Sequence, residues 1–359
     1  MKTQKEGYRV AVVGASSLLG KELVNVLEEQ GFPVSRLVTF EADEEEPDLP
    51  IVDLHDASQA AVQDQEVSEA ELDFAFLAAR LHSIPSFLRT AERLRAGGAE
   101  APRAHCFVID LTGEGVGEQR AESLKDVVCV PFLDRRFPAA DMGPGGSPFY
   151  VSPHPAVIVI SSLLLRLAAR FPLRNAVAQL FGSASEIGSR GIEELQKQTV
   201  SLLSFQKIPR QVFGAQLAFN LLSRLGRSGS GDLTSLETLV RQQLRQYLGQ
   251  RVPLPALRLF QVPIFYALGV SLYVETAEPV APEAAAAALV GERIRVRRSS
   301  QDAPSPVEVT GSSHILVDDI TRDPEHPTGI WLWAVADNLR LAAVNAGEIA
   351  ESLRKRGGP

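Results

Sequence analysis

Cysteine and clustered metal ligands are scarce in this chain. Of its 359 residues only two are cysteines, Cys106 and Cys129, and both lie within short apolar runs. We interpret them as core residues; a disulfide or a reactive thiol is the alternative. Reduced, buried thiols suit a cytoplasmic location. The six histidines are scattered without CxxC or HxxxH spacing, so we predict no metal site.

Long apolar runs and an excess of positive charge are also lacking. The longest apolar run, 156–169, falls short of the ~18 residues that a bilayer span needs and is interrupted by Ser161, Ser162 and Arg166. Residues 1–8 contain no apolar signal-peptide core. The net charge is −8, whereas a nucleic-acid-binding domain presents a basic face. We therefore expect no nucleic-acid partner and no membrane partner.

The N-terminal residues follow the order of a dinucleotide-binding fold. An apolar run at 9–13 predicts a parallel strand buried on both faces. A glycine-bearing turn at 14–20, an amphipathic helix at 21–30 and a second strand at 36–40 follow. This order opens a Rossmann-like α/β unit. The other elements predicted for this domain are strands at 74–78, 107–110 and 127–130, a helix at 84–96, and a Gly- and Pro-rich linker at 139–148.

The glycine turn is compatible both with nucleotide binding and with its loss. Gly14 can make the tight turn and Gly20 can allow close packing of helix and strand. The middle position is Ser17, whose side chain lies where a pyrophosphate would approach but whose hydroxyl could donate to a phosphate. Ser16 is a further candidate contact in this loop. The alternative is a Rossmann-like unit that no longer binds nucleotide.

Acidic residues follow the second predicted strand. Glu41 could accept a hydrogen bond from a ribose 2′-hydroxyl, as in NAD enzymes. Residues 41–46 contain five acids, which would repel the 2′-phosphate of NADP. NADP is therefore disfavoured and NAD stays possible, although we favour a solvated acidic loop as the explanation of so many charges.

The second half of the chain has a different pattern. Amphipathic or apolar helices alternate with long strands, which predicts an α+β domain with a mixed sheet over residues 151–335. The C-terminal helix, 338–355, is expected to pack back on the first domain, which therefore comprises 1–150 and 336–359. The predicted elements are helices at 156–171, 191–203 and 233–248 and strands at 176–182, 257–263 and 270–275, and further helix, strand and loop segments continue through 330–333.

Five motifs, in the same order, resemble the aspartate-semialdehyde dehydrogenase family, at 10–20, 30–34, 213–220, 262–266 and 335–340. The likeness is greatest to the Usg-type paralogues, which lack the family's nucleophilic cysteine. The resemblance implies a Rossmann-type NAD(P)-binding domain, a dimerisation domain and a homodimer. It also implies the family reaction of amino-acid biosynthesis, the NADPH-dependent reduction of aspartyl phosphate to the semialdehyde.

The catalytic positions that this resemblance implies carry other residues here. The nucleophile position falls on Pro155, the glutamine position on Gly182, the substrate-arginine position on Gln261 and the catalytic-histidine position on Leu268. Glu237 matches the residue that holds the substrate ammonium. Asn338, which begins the motif of the last helix, is a cofactor-binding candidate.

These replacements remove the family's chemistry. Proline cannot form a thioester, leucine cannot transfer a proton, and glutamine carries no charge for a substrate carboxylate. We therefore predict a protein without dehydrogenase activity that forms a homodimer, or associates with a catalytic paralogue, in a binding or interaction role. The alternative is an NAD(P)-dependent oxidoreductase acting on an acyl phosphate or aldehyde.

Two neighbours at the nucleophile position have simpler structural interpretations. Pro155 suits the first turn of a helix. His154 precedes it, and we favour an exposed loop histidine over a ligand-binding group.

Overall fold

The computed structural model describes residues 7–40, 72–79, 106–113, 127–134, 149–229, 232–297 and 304–355. Two compact units divide the chain, one of residues 1–152 and 343–359 and one of residues 153–342. The division within the C-terminal helix differs from the expected boundary at 335. Residues at the start of this helix form hydrogen bonds within the second unit. The Asp337 carboxylate accepts from Gly311 N–H, and the Asn338 side-chain oxygen accepts from Ala267 N–H.

The first unit contains a parallel six-stranded sheet in the order β2-β1-β3-β4-β6-β5. Val10 to Val13 of β1 are at most 1% exposed, as expected of a strand covered on both faces. The predicted Rossmann-like sheet is confirmed, and Phe149–Val151 adds a strand that the pattern did not predict. The strands are β1 Tyr8–Val13, β2 Val34–Phe40, β3 Phe74–Leu77, β4 Phe107–Asp110, β5 Val127–Val128 and β6 Phe149–Val151.

Helices cover this sheet with their apolar faces. The helix α1 (Leu18–Glu29) buries Leu23, Val26 and Leu27 in a core that also contains Ile349 and Leu353 of the C-terminal helix. The expectation that this last helix packs on the first domain is therefore confirmed. A short helix, α2 (Pro131–Asp134), follows β5. The predicted helix 84–96, the linker 139–148 and the acidic residues 41–46, Glu41 included, lie outside the described residues.

The second unit contains a mixed six-stranded sheet in the order β10-β11-β12-β9-β7-β8. The β7–β8 and β10–β11 pairs are parallel and the other pairs antiparallel. The predicted α+β domain with a mixed sheet is confirmed. Its strands are β7 Leu173–Gly182, β8 Ala256–Gln261, β9 Leu268–Thr276, β10 Ile294–Val296, β11 Ile315–Arg322 and β12 Gly329–Ala336. The helices are α3 Pro155–Ala168, α4 Gly188–Leu203, α5 Leu233–Leu248, α6 Pro282–Leu289 and α7 Asn338–Lys355, with 3₁₀ turns at Ala184–Ile187 and Pro306–Val309.

Helix α3 lies in the core of this unit, and Pro155 to Leu167 are all buried. A helix that is apolar on all sides is stable only when neighbours surround it. The helix ends at Ala168 rather than Phe171, because Pro172 disfavours helical backbone in the residue before it. Strand β8 likewise ends at Gln261, before Pro263, which has no N–H to donate. Among the described residues no helix is long and apolar enough to cross a membrane.

Candidate functional site

Three of the predicted site positions meet at the carboxyl end of β7. Gly182 is the register partner of Gln261 on β8 and of Leu268 on β9. Gln261 is 1% exposed, and its side-chain amide donates to the carbonyl of Gly182 at 3.0 Å. Leu268 is fully buried. This end of the sheet therefore contains no charged side chain at the three positions.

The start of α3 carries the fourth predicted position. Pro155 is the first residue of the helix, where its missing N–H is not needed. His154 caps the helix, since its Nδ1 accepts from Ala156 N–H at 3.1 Å. The backbone N–H of His154 donates to Gln243 Oε1 of α5 at 2.8 Å. Residue 154 is therefore held by α3 through its ring and by α5 through its backbone.

The other ring nitrogen of His154 faces a carboxylate. Its Nε2 lies 3.0 Å from Glu186 Oε2, and each side chain is 10% exposed. Because Nδ1 accepts a backbone hydrogen bond, the ring proton of the neutral imidazole is on Nε2 and is donated to Glu186. The expectation of an exposed loop histidine is wrong, because the cap and the carboxylate hold this ring largely buried.

Asn338, at the start of α7, completes the cluster. Its Nδ2 donates to Glu186 Oε1 at 3.1 Å and to Ser185 Oγ at 3.0 Å. Its Oδ1 accepts from Ala267 N–H at 3.0 Å. Ser183 Oγ lies 2.9 Å from Ser185 Oγ. We call His154, Glu186, Asn338, Ser185 and Ser183 the polar cluster.

Strained backbone borders this cluster. Ala267 has a φ of 75° and is completely buried. A non-glycine residue in the left-handed region costs about 1–3 kcal/mol and persists where surrounding contacts enforce it. The hydrogen bond from Ala267 N–H to Asn338 is such a contact. Asn338 therefore holds both the carboxylate and the strained segment that leads into β9.

Glu237 lies on another part of α5. Its Oε1 accepts from the Arg241 guanidinium and its Oε2 accepts from Leu259 N–H at 3.0 Å. Arg241 also donates to Leu257 O at 2.7 Å. Within the described chain, the hydrogen bonds of Glu237 therefore join α5 to β8, and none reaches the polar cluster.

The glycine turn of the first unit retains the backbone of a phosphate-binding loop. Gly14 has a φ of 75°, and a Cβ on Gly20 would lie 2.1 Å from Gly14 O. The first amides of α1, like those of any helix, lack intrahelical acceptors and suit an anion. By its backbone the turn fits a dinucleotide pyrophosphate.

The two serines of this turn differ in what they offer. Ser17 caps α1, accepting from Gly20 N–H at 2.9 Å and donating to Ala78 O at 3.2 Å. Its hydroxyl proton is therefore directed to Ala78 and away from an incoming phosphate. Ser16 is exposed in the same turn.

Two family models match the chain. Residues 9–115 match the model for the semialdehyde dehydrogenase NAD binding domain, and residues 164–341 match the model for the semialdehyde dehydrogenase dimerisation domain. Together they cover more than half of the chain. The chain belongs to the semialdehyde dehydrogenase family.

Relatives within this family match over nearly their whole length. A USG-1 protein homolog of Pseudomonas aeruginosa is 28% identical, covering 96% of this chain and 97% of the relative. An aspartate-semialdehyde dehydrogenase of Rickettsia bellii is 25% identical, covering 97% and 98%. The solved structure of a probable aspartate-semialdehyde dehydrogenase from Pseudomonas aeruginosa is 28% identical, covers 97% of this chain and 99% of that chain, and has a TM-score of 0.77. The predicted likeness to the family and to its Usg-type members is confirmed.

The semialdehyde dehydrogenase fold here contains no thiol in its second unit. The only two cysteines of the chain are in the first unit. Neither forms a disulfide, and Cys106 is 1% and Cys129 3% exposed, so their interpretation as core residues is confirmed. In the described parts of the chain, no three His, Cys, Asp or Glu side chains are arranged to hold a metal ion.

Sequence reasoning missed Glu186 and the two serines of the polar cluster. None of these three residues was a predicted site residue. One signal was available: Gly182, four positions earlier, has no side chain. A Cβ added at Gly182 would lie 3.6 Å from Glu186 Cγ, so the glutamate occupies room beside the missing side chain.

Proposed function

We propose that this protein is a member of the semialdehyde dehydrogenase family that performs no dehydrogenase chemistry and acts as a dimeric binding protein in the cytoplasm. The observation that carries the proposal is Pro155 at the first position of α3, in a unit without cysteine. The family reaction requires a thiolate to hold the acyl group. Proline supplies none, and neither buried cysteine belongs to this unit.

The other replaced positions support the same conclusion. Leu268 cannot donate or accept a proton. Gln261 can hydrogen-bond a carboxylate but cannot balance its charge, and its amide already donates to Gly182 O. Restoring a thiol alone would therefore not restore the reaction.

The polar cluster favours a binding role over a decayed site. Every side chain in it has a hydrogen-bond partner, and its members come from α3, the 3₁₀ turn and α7. Such a network is costly unless all of its groups are satisfied. Side chains that are held in place by hydrogen bonds are pre-organised to receive a ligand.

A second copy of the chain is the partner we propose first. The dimerisation-domain model covers 164–341, and large apolar side chains are exposed at several places in this range. Those within residues 200–221 are Val200 56%, Leu203 69%, Phe205 97%, Phe219 70% and Leu221 50% exposed. Exposed apolar side chains close together along the chain are candidates for an interface. A catalytic paralogue as the partner is the other outcome of the same test.

An NAD-dependent oxidoreductase acting on an acyl phosphate or aldehyde is the second candidate. The tight turn at Gly14 and the close packing at Gly20 favour it, since both suit a bound pyrophosphate. The acidic residues 41–46 make NAD the better cofactor than NADP. When bound, the nicotinamide would supply hydride transfer, for which Glu237 is the remaining candidate substrate contact.

An activity assay separates the two candidates. The purified protein is incubated with aspartate semialdehyde, phosphate and NAD⁺ or NADP⁺, beside a cysteine-containing family dehydrogenase as the positive control. We expect no reduced nicotinamide above the rate without protein. Repeated turnover would overturn the proposal in favour of the oxidoreductase, and Glu237→Gln should then lower that turnover. Light scattering should give twice the monomer mass; a monomer at micromolar concentration would contradict the dimer.

A further inference from the structure

Among the described residues, the Glu186 carboxylate of the polar cluster meets no lysine or arginine. Glu186 accepts from His154 Nε2 and from Asn338 Nδ2, and both donors are neutral groups in this arrangement. Among the described residues, no lysine or arginine forms an ion pair with this carboxylate; its sole ion-pair contact is His154. From these observations we infer that the polar cluster is a binding site for a protonated amine, held by Glu186. This inference rests on the proposed binding role of the same site.

Burial makes the charge significant. The Glu186 side chain is only 10% exposed, and a largely buried carboxylate is costly unless a cation or sufficient donors compensate it. The imidazole cannot be that cation while its Nδ1 caps α3, because Nδ1 there must accept from Ala156 N–H. The compensating charge is therefore expected from a ligand.

The carboxylate also has acceptor capacity left. An ionised carboxylate offers about four lone-pair sites, and each oxygen of Glu186 accepts one hydrogen bond from the polar cluster, Oε2 from His154 and Oε1 from Asn338. An alkylammonium ion carries three N–H donors and one positive charge, which match the free sites and the charge. His154 and Asn338 act as positioning residues, since they set the orientation of both oxygens.

The surroundings disfavour an anionic ligand. Gln261 and Leu268, in register with Gly182, bring no positive charge to this end of the sheet. Glu186 itself repels carboxylates and phosphates. The ligand class is therefore an amine without a carboxylate beside its nitrogen, rather than an amino acid.

Glycine at residue 182 leaves ordinary van der Waals room for a methyl group beside the Glu186 side chain. The nearest heavy atoms to a Cβ added at Gly182 are Glu186 Cγ at 3.6 Å and Phe260 O at 3.8 Å. Both are ordinary van der Waals distances, so this side of Glu186 is not closed by a side chain at residue 182.

The test uses the full-length protein and three ligands of equal length: propylamine, propionate and propanol. Calorimetric titration at neutral pH should show saturable binding of propylamine and weaker or no binding of the other two. Putrescine as a second amine tests whether a distal charge is tolerated. No saturable binding of either amine, or stronger binding of propionate, would overturn the inference without any variant being needed.

Two variants locate the binding. Glu186→Gln should weaken propylamine binding by roughly tenfold or more, the loss expected for a charge-assisted hydrogen bond. Glu193→Gln, a matched change on α4 at a side chain 42% exposed, should leave it unchanged. The inference is wrong if Glu186→Gln binds propylamine as tightly as the wild type does. It is also wrong if Glu193→Gln loses as much affinity as Glu186→Gln, because the binding would then reflect general surface charge. Thermal unfolding of both variants verifies the fold.

The outcome is separable from that of the proposed function. Failure to bind amines leaves an inactive dimer intact, whereas dehydrogenase turnover overturns the proposed function whether or not amines bind.

Discussion

His154 Nε2 lies 3.0 Å from Glu186 Oε2, and this contact joins the first residue before α3 to the 3₁₀ turn that follows β7. The same imidazole caps α3 through Nδ1. Both ring nitrogens are therefore engaged, so the ring is suited to hold a carboxylate in place and poorly suited to shuttle protons. Positioning, rather than acid–base catalysis, is the role that this geometry favours.

Replacing His154 should destabilise the second unit. His154→Ala removes the cap of α3 and one donor to a buried carboxylate, and we expect a loss of about 1–3 kcal/mol in the free energy of unfolding, measured by urea titration. His154→Asn should recover part of the loss, since asparagine is a good helix cap. His326→Ala, at a side chain 70% exposed, is the control and should change stability by less than about 0.5 kcal/mol. Equal stability of His154→Ala and the control would contradict the capping role.

Adding a thiol at residue 155 should not create an enzyme. Pro155→Cys places a cysteine at the first turn of α3, where the helix favours a thiolate. Because Gln261 and Leu268 are unchanged, the variant should react with thiol reagents but show no turnover of aspartate semialdehyde. Pro155→Ala controls for the loss of proline. Dehydrogenase activity in the cysteine variant alone would show that the other replaced positions do not prevent the reaction.

Glu194 of α4 anchors the loop that follows this helix. It is 4% exposed and accepts from Val212 N–H at 2.7 Å and Phe213 N–H at 2.9 Å. Glu194→Ala would leave two buried amides without this acceptor, at a cost of about 2–4 kcal/mol in unfolding free energy. Hydrogen exchange of the amides at 212 and 213 should accelerate. Glu193→Ala, the exposed neighbour, should change neither quantity, and protected amides in Glu194→Ala would disprove the anchor.

Asp232 should make the stability of α5 depend on pH. Hydrogen bonds from the Ser235 hydroxyl and from Thr234 N–H hold the pKa of the Asp232 carboxyl below its usual value. The pKa is lower in the folded state, so the stabilisation is present above the unfolded pKa and is lost as the pH falls through the folded pKa.

The test compares wild type with Asp232→Asn, which keeps a capping side chain but not the charge. The stability advantage of the wild type at neutral pH should shrink towards zero in acid, as followed by urea unfolding across pH. A difference in unfolding free energy between the wild type and Asp232→Asn that does not change with pH would contradict a stabilising role for the Asp232 charge. Asp232→Ala should cost about 1 kcal/mol at neutral pH.

Much of the fold follows from local patterns. The helices 233–248 and 338–355 have the bounds that their periodicity predicts. For α5 the reason is local, since Asp232 caps its start and Gly249, with a φ of 55°, ends it. The strand at 149–151 was missed because three apolar residues beside a Gly- and Pro-rich segment carry too little pattern.

For the candidate site, the residue identities could be read from the sequence, but the contacts between the residues could not. That no cysteine lies in residues 153–342, and that residues 155, 261 and 268 are proline, glutamine and leucine, are facts of the sequence alone. They suffice to predict the loss of thioester chemistry. The environment of His154 could not be predicted, because an isolated histidine before a proline is compatible with either an exposed or a buried ring.

The sequence by itself determined the two-sheet fold class, the helix bounds set by caps and periodicity, and the absence of a thiol near the start of α3. Only the tertiary structure decided that Glu186 meets His154 and Asn338, which lie 32 and 152 positions away along the chain. Their contact exists because the carboxyl end of β7 and the starts of α3 and α7 converge. Convergence of that kind depends on packing across the whole unit, which no local pattern encodes.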